Sequence, residues 1–370
     1  MSPEFEYVFP SIRGIQAGHE YYVSMCPLKL IPRIFVFNEE ELIPHLRAQR
    51  ILNKARLPEM ARYLLENPKS YVFSALTASI DGKVNFDPLG TSGDQHRMGA
   101  LRVPMDAQIL INDGQHRRAA IEMALRENPD LGEETIAIVF FMDLGLERCQ
   151  QMFSDLNRHA VRATRSIGIL YDHRDEPAQI VKDVVLKAVC FDGVVEMERS
   201  TLAARSRKLF TLSSIYTATS TLVQGVEGDK NQIVDSAIEF WEHIAKQIPE
   251  WQSVQKGLMT SSEVRSSFLH SHAIALHALA KIGNQLIKEN QRGWKRTFQR
   301  LKTMNWRRSN AKLWEGRAMT GGRVSKSGHN VTLTCNAIKK HLDLTLTAEE
   351  ERVERAYRRG KGGKQATVRT

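Results

Sequence analysis

Asp113-Gly114-Gln115-His116-Arg117 brings together a carboxylate, a flexible backbone position, an imidazole and a guanidinium. The aliphatic run Ile109-Leu110-Ile111 precedes it, and Ala119, Ala120, Met123 and Ala124 follow at helical spacing. This pattern predicts a strand, a tight turn and a helix whose short side chains let it lie close to a sheet. Asp113 is expected to act as the N-cap, and Gly114 to take a backbone angle that other residues resist. The first N–H groups of such a helix lack helical partners, and the helix dipole adds positive charge there, which makes an anion site. His116 and Arg117 stand where they add charge-assisted contacts to a phosphate. From the residues alone, a capped helix with solvated basic side chains is the plain alternative.

Gly93-Asp94-Gln95-His96-Arg97 repeats this stretch almost letter for letter. No aliphatic run precedes it and Gly99 interrupts a following helix, so residues 83–102 read as a long polar loop over the site. His96 or Arg97 is then expected to reach the phosphate from that loop.

A second concentration of chemistry lies near the C-terminus. The chain carries 52 Lys+Arg against 42 Asp+Glu. Residues 292–370 hold 20 of the basic residues and 6 of the acidic ones, a net of +14, so the other 291 residues (32 basic, 36 acidic) are at −4. Such asymmetry points to a polyanionic partner contacted at one end. Arg307, Arg308, Arg323 and Lys326, interleaved with Trp306 and Trp314, suit contacts to a phosphate backbone. A helix over 331–342 is expected to expose Asn336, Lys339 and Lys340 as base-reading candidates. Thr347-Ala348-Glu349-Glu350 has the form of a capping box, so the next helix makes a helix-turn-helix-like pair with it.

Asp-Gly-Gln-His-Arg followed by alanines resembles the signature of the DGQHR-domain proteins. Within that group the chain resembles the DndB family, the regulators of DNA phosphorothioate modification clusters. Pro27-Leu28-Lys29-Leu30-Ile31-Pro32-Arg33, Asn305-Trp306-Arg307-Arg308-Ser309-Asn310 and Gly322-Arg323-Val324-Ser325-Lys326 carry the likeness across most of the sequence. More remotely, the turn is similar to those of ParB-like partition proteins, sulfiredoxins and free-serine kinases, which bind nucleotides through variant motifs. Gln115 stands where some of those relatives hold a reactive group, so nucleotide binding transfers more readily than a reaction.

The resemblance implies a transcriptional repressor of its own modification cluster. Its partners would be promoter or operator duplex DNA and other DNA sulfur modification proteins, with ATP or another nucleotide, and magnesium, at Asp113–Arg117. The competing expectation is a DNA-stimulated, nucleotide-hydrolysing accessory enzyme of the same machinery. No catalytic residue is assigned. Symmetric operators would suit a homodimer.

The elements that must position these groups follow from periodicity. The first 175 residues are expected to form an α/β module, and the resemblance of its turn implies a ParB/sulfiredoxin-like mixed sheet. Strands are read over Tyr71–Ile80, Met105–Ile111 and Thr135–Met142, with helices over 39–50, 58–65, 117–126 and 146–157. The segments around the motif make a βαβ-like unit. Residues 176–291 read as a helical domain with apolar periodicity over 180–189, 213–223, 233–248 and 264–287. Residues 292–357 form the basic DNA-contacting segment, and 358–370 a disordered basic tail. His270, His272 and His277 lack metal-ligand spacing, the cysteines are unpaired in spacing, and no structural metal is expected. P-loop spacing is absent. With no membrane-length apolar run and an acidic start without signal-peptide regions, the chain is expected in the cytoplasm.

Overall fold

In the computed structural model, which describes residues 5–35, 54–142, 151–152, 155–156, 163–289 and 293–366, the chain divides into two units, Met1–Val161 and Arg162–Thr370. The helices expected over 39–50 and 146–157 fall wholly or mainly outside the described residues.

The first unit is a mixed sheet with helices. Its strands are β1 (Glu6–Gln16), β2 (His19–Pro27), β3 (Leu76–Asp81), β4 (Asn85–Pro88), β5 (Met98–Pro104), β6 (Gln108–Asp113) and β7 (Thr135–Met142). They lie in the order β4-β5-β1-β2-β7-β3-β6. Neighbours are antiparallel except β3 and β7, which run parallel. Period-two alternation sets the faces of β7, where Ile136, Ile138 and Phe140 point inward, whereas β3 is buried on both faces from Leu76 to Ile80. Helices α1 (Leu57–Glu66) and α2 (Gln115–Glu127) pack on each other, and Leu64 and Ile121 join the core of the sheet. Pro58 sits in the first turn of α1, where its missing N–H costs nothing.

Three expectations change here. Residues 83–102 are not a loop, because β4 and β5 pair from Asn85↔Arg102 to Pro88↔Gly99. Gly99 allows that hairpin, since a Cβ there would overlap the Asp87 carbonyl. The strand expected over Tyr71–Ile80 starts only at Leu76, and the Val72 N–H donates to the Tyr63 hydroxyl of α1 instead (2.9 Å). The β6–α2–β7 segment is no parallel crossover either. β3 lies between its two strands, antiparallel to β6 and parallel to β7.

The second unit is helical: α3 (Arg165–Tyr171), α4 (Glu176–Lys187), α5 (Leu212–Val223), α6 (Lys230–Gln247), α7 (Ser261–Ser267), α8 (Ala273–Lys288), α9 (Gly328–His341) and α10 (Ala348–Ala366). Side-chain N-caps start most of them. Asp175, Thr211, Asp229, Thr260 and Ser327 each accept a backbone N–H from the first turn. α8 packs against both α5 and α9. One core runs through the unit and joins Val184, Ile215, Trp241 and Leu279 to Trp314 and Ile338. The basic segment 292–357 is therefore built into the same core as residues 176–291.

The single helix expected over 264–287 is broken at Phe268–His272. Phe268 leaves the helix extended to pair with Arg307, and the Leu269 N–H donates to the Trp306 carbonyl (2.9 Å). Trp306 and Trp314 stack with centroids 5.5 Å apart, as core anchors. At the far end, α10 continues through Ala366, where a tail was expected from residue 358.

Candidate functional site

The strand-turn-helix expected around Asp113 is present: β6 ends at Asp113 and α2 begins at Gln115. Gly114 takes φ +108, in the left-handed region. A Cβ at that position would also overlap Leu76 Cδ2 of the neighbouring β3. Gly114, not Asp113, is the N-cap, and α2 begins with no side-chain cap and no acidic residue in its first turn.

Asp113 is otherwise occupied. Its Oδ2 accepts from Arg117 Nη2 at 2.8 Å, and the same Nη2 donates to the Ala75 carbonyl at 3.1 Å. Arg117 thus clips the start of its own helix to the chain entering β3. Gln115 is buried and donates through Nε2 to the Asn112 carbonyl (3.2 Å). Asn112, fully buried, donates to Ser79 Oγ at 2.6 Å. His116 has its pKa lowered by burial first, then by the nearby charges of Arg56 and Arg117. The ring is therefore neutral near pH 7. Arg118, the next residue, donates to the carbonyls of Phe35 (3.0 Å) and Pro32 (3.5 Å) and to Glu122 (2.7 Å). The motif arginines tie β3 and the segment around Pro32 to α2. Two polar atoms in this knot, Asn112 Oδ1 and Arg117 Nε, are buried with no hydrogen-bond partner among the described residues.

His96 and Arg97 do not join this turn. They lie between β4 and β5, five strands from β6 in the hydrogen-bonded order. His96 meets Arg13 of β1 through Nε2 at 2.5 Å, and the Arg97 carbonyl accepts from the Arg13 N–H.

The C-terminal candidates separate into two groups. Arg307, Arg323 and Lys326 are exposed; the Arg307 guanidinium lies 5.1 Å from the centroid of the Phe268 ring. Arg308 is half-buried and donates to the carbonyls of Ser266 (3.3 Å) and Gly322 (3.2 Å), so it holds two loops together.

The exposed positions expected for Asn336 and Lys339 are overturned. Asn336 is 0% exposed and Lys339 is 4% exposed. Lys339 Nζ donates to both oxygens of Glu350 at 2.8 Å, and Asn336 Nδ2 donates to the Glu350 carbonyl at 2.9 Å. Lys340 is exposed but pairs with Glu354, which also takes a bidentate contact from buried Arg317 at 2.7 and 2.8 Å. These side chains bind α10 to α9. Burial by itself raises the Glu354 pKa, but Arg317 and Lys340 outweigh it and bring it to about 2.

The pairing leaves α10 presenting other cations. Arg352, Arg355 and Arg359 are exposed at i, i+3 and i+7, which places them along one side of the helix. Sequence reasoning passed over Arg352 and Arg355 and assigned Arg359 to the tail; the signal was arginine spacing on the capped helix itself.

One family model matches the chain, over residues 9–345. No curated protein and no solved structure matches it. That match spans both units, and the chain belongs to the DndB family, described as DNA-sulfur modification-associated.

Proposed function

We propose that this member of the DndB family is a DNA-binding regulator that represses its own DNA sulfur modification cluster. The observation that carries the reading is the +14 charge of residues 292–370, set on a unit whose exposed cations include Arg307, Arg323, Lys326, Arg352, Arg355 and Arg359. Arg317 and Lys339 are ion-paired inside the fold and exposed Lys340 is paired with Glu354, so the DNA contacts fall to the exposed cations outside these pairs. α10, with its row of arginines, replaces α9 as the element that meets the duplex. Fluorescence anisotropy with promoter and scrambled duplexes tests this. The promoter should bind tighter by about a thousandfold at physiological salt. Equal affinities would defeat the repressor reading.

A second reading, nucleotide binding at Asp113–Arg117 with ATP and magnesium, is supported by the uncapped first turn of α2. It asks Asp113 and Arg117 to give up their mutual contact. DNA-stimulated nucleotide turnover by the purified protein would favour it over the regulator.

A further inference from the structure

Two adjoining cavities of about 760 and 390 Å³ open in the second unit and share Thr211, Ser214, Ala273 and Lys326. The first turns of α5, α8 and α9 all reach them, at Ser213, Ala273 and Gly328. α8, sixteen residues long, has no side-chain cap at its start. Arg165, Lys281 and Lys326 add three cations to the larger cavity. Among the described residues no carboxylate lines either space, and Lys281 and Lys326 have no hydrogen-bonded or ion-paired partner. Ser271, which lines the smaller cavity and is 5% exposed, has an Oγ with no partner among the described residues. Three cations without an ion pair, beside helix N-termini, describe a site for an anion in the larger cavity, although the Lys281 charge also reaches Glu350. The unused hydroxyl of Ser271 belongs to the smaller cavity beside it.

The hydroxyls narrow the ligand further. Ser214, Thr217 and Thr221 donate their protons to the carbonyls of Thr211, Ser213 and Thr217 at 2.7, 3.0 and 2.9 Å. What they offer the cavity is oxygen lone pairs, which accept from a ligand's own O–H groups. Among the described residues no Phe, Tyr or Trp lines the larger cavity, and its one ring is the imidazole of His277. Its volume falls within the range of about 300–1,000 Å³ usual for small-molecule sites. We infer that this cleft binds a phosphorylated sugar, the phosphate held by Arg165, Lys281 and Lys326 and the sugar hydroxyls by the serine and threonine oxygens of α5. The sugar phosphate is either a free small molecule or part of a nucleic-acid strand.

Isothermal titration calorimetry of the full chain in phosphate-free buffer, with ribose 5-phosphate, ribose, inorganic phosphate and a short single-stranded oligonucleotide, tests the assignment. Ribose 5-phosphate should bind at least about tenfold tighter than ribose or phosphate alone, and Lys281→Gln should weaken it by about tenfold or more, the size of a charged hydrogen bond. Thr217→Val should weaken ribose 5-phosphate but leave inorganic phosphate unchanged. Binding of the oligonucleotide alone, lost in Lys281→Gln, upholds the chemistry and assigns the sugar phosphate to a strand. No binding by any probe, or equal binding by Lys281→Gln with an unchanged melting temperature, overturns it. Lys326 is common to this cleft and to the surface proposed for duplex DNA, but Lys281 is not, so promoter affinity should survive Lys281→Gln, and that variant lets the two proposals fail separately.

Discussion

Gly114 carries the strand-to-helix turn by two separate physical demands. Its φ of +108 is strained for any residue with a Cβ, and that Cβ would meet Leu76, itself fully buried with nowhere to retreat. Gly18, at φ +78, shares the first demand but has open space around it. Comparing the two separates strain from collision. Gly18→Ala should cost about 1 kcal/mol, whereas Gly114→Ala should add overpacking of about 1–3 kcal/mol more. Thermal or urea unfolding measures both, and equal losses would mean that the Leu76 contact is not binding on the turn. The glycine and the aliphatic run before it were legible in the sequence, since both are local. The direction of Arg117 was not. It depends on the Ala75 carbonyl, which the fold delivers from 42 residues away along the chain, and no local pattern encodes that approach.

At the scale of elements, α9 and α10 show where helical periodicity misleads. Lys339 and Asn336 look like solvent-facing residues because polar side chains usually are. They are buried because α10 brings Glu350 and Glu354 to them, a partner that cannot be seen from within α9. The capping box at Thr347 was legible, being a four-residue motif. The same Glu350 accepts the Thr347 N–H (2.9 Å) and the Lys339 ammonium, so the cap and the ion pair are one device. The side chain of Glu354 is only 5% exposed while it faces Arg317 and Lys340. Glu354→Gln leaves those charges uncompensated and should cost about 3–5 kcal/mol. Its carboxyl is held at about 2 against an ordinary 4.5. A depressed acid stabilises the fold fully above its unfolded value and loses that contribution as pH falls toward the folded one. Wild-type stability should therefore decline between about pH 4.5 and 2. Glu354→Gln should flatten that limb in acid-denaturation curves; an unaltered acid limb would show that the pair does not govern it.

Across the whole molecule, charge and core are distributed differently. The sequence places the positive charge in its last fifth, and that much was legible by counting. Counting suggests a detachable basic segment, yet Phe298, Trp314 and Ile338 share a core with Val184 and Trp241. Removing residues 292–370 would strip that core and unfold the unit, so loss of DNA binding by such a truncation would say nothing about contacts. Charge has to be removed without touching the core. Arg352, Arg355 and Arg359 are exposed on α10, and exchanging all three for Gln should shift stability by about 0.5 kcal/mol or less per site. Each phosphate contact contributes about −0.9 to the slope of log affinity against log salt. If the three arginines meet the backbone, the triple variant should shallow that slope by up to about 2.7, with the affinity loss largest at low salt. Arg308→Gln breaks internal contacts to Ser266 and Gly322, and should lower the melting temperature with little change in slope. Anisotropy titrations from low to high salt, run on both variants, read the two effects apart. A triple variant with the wild-type slope would remove α10 from the DNA-facing surface and leave Arg307, Arg323 and Lys326 to account for it.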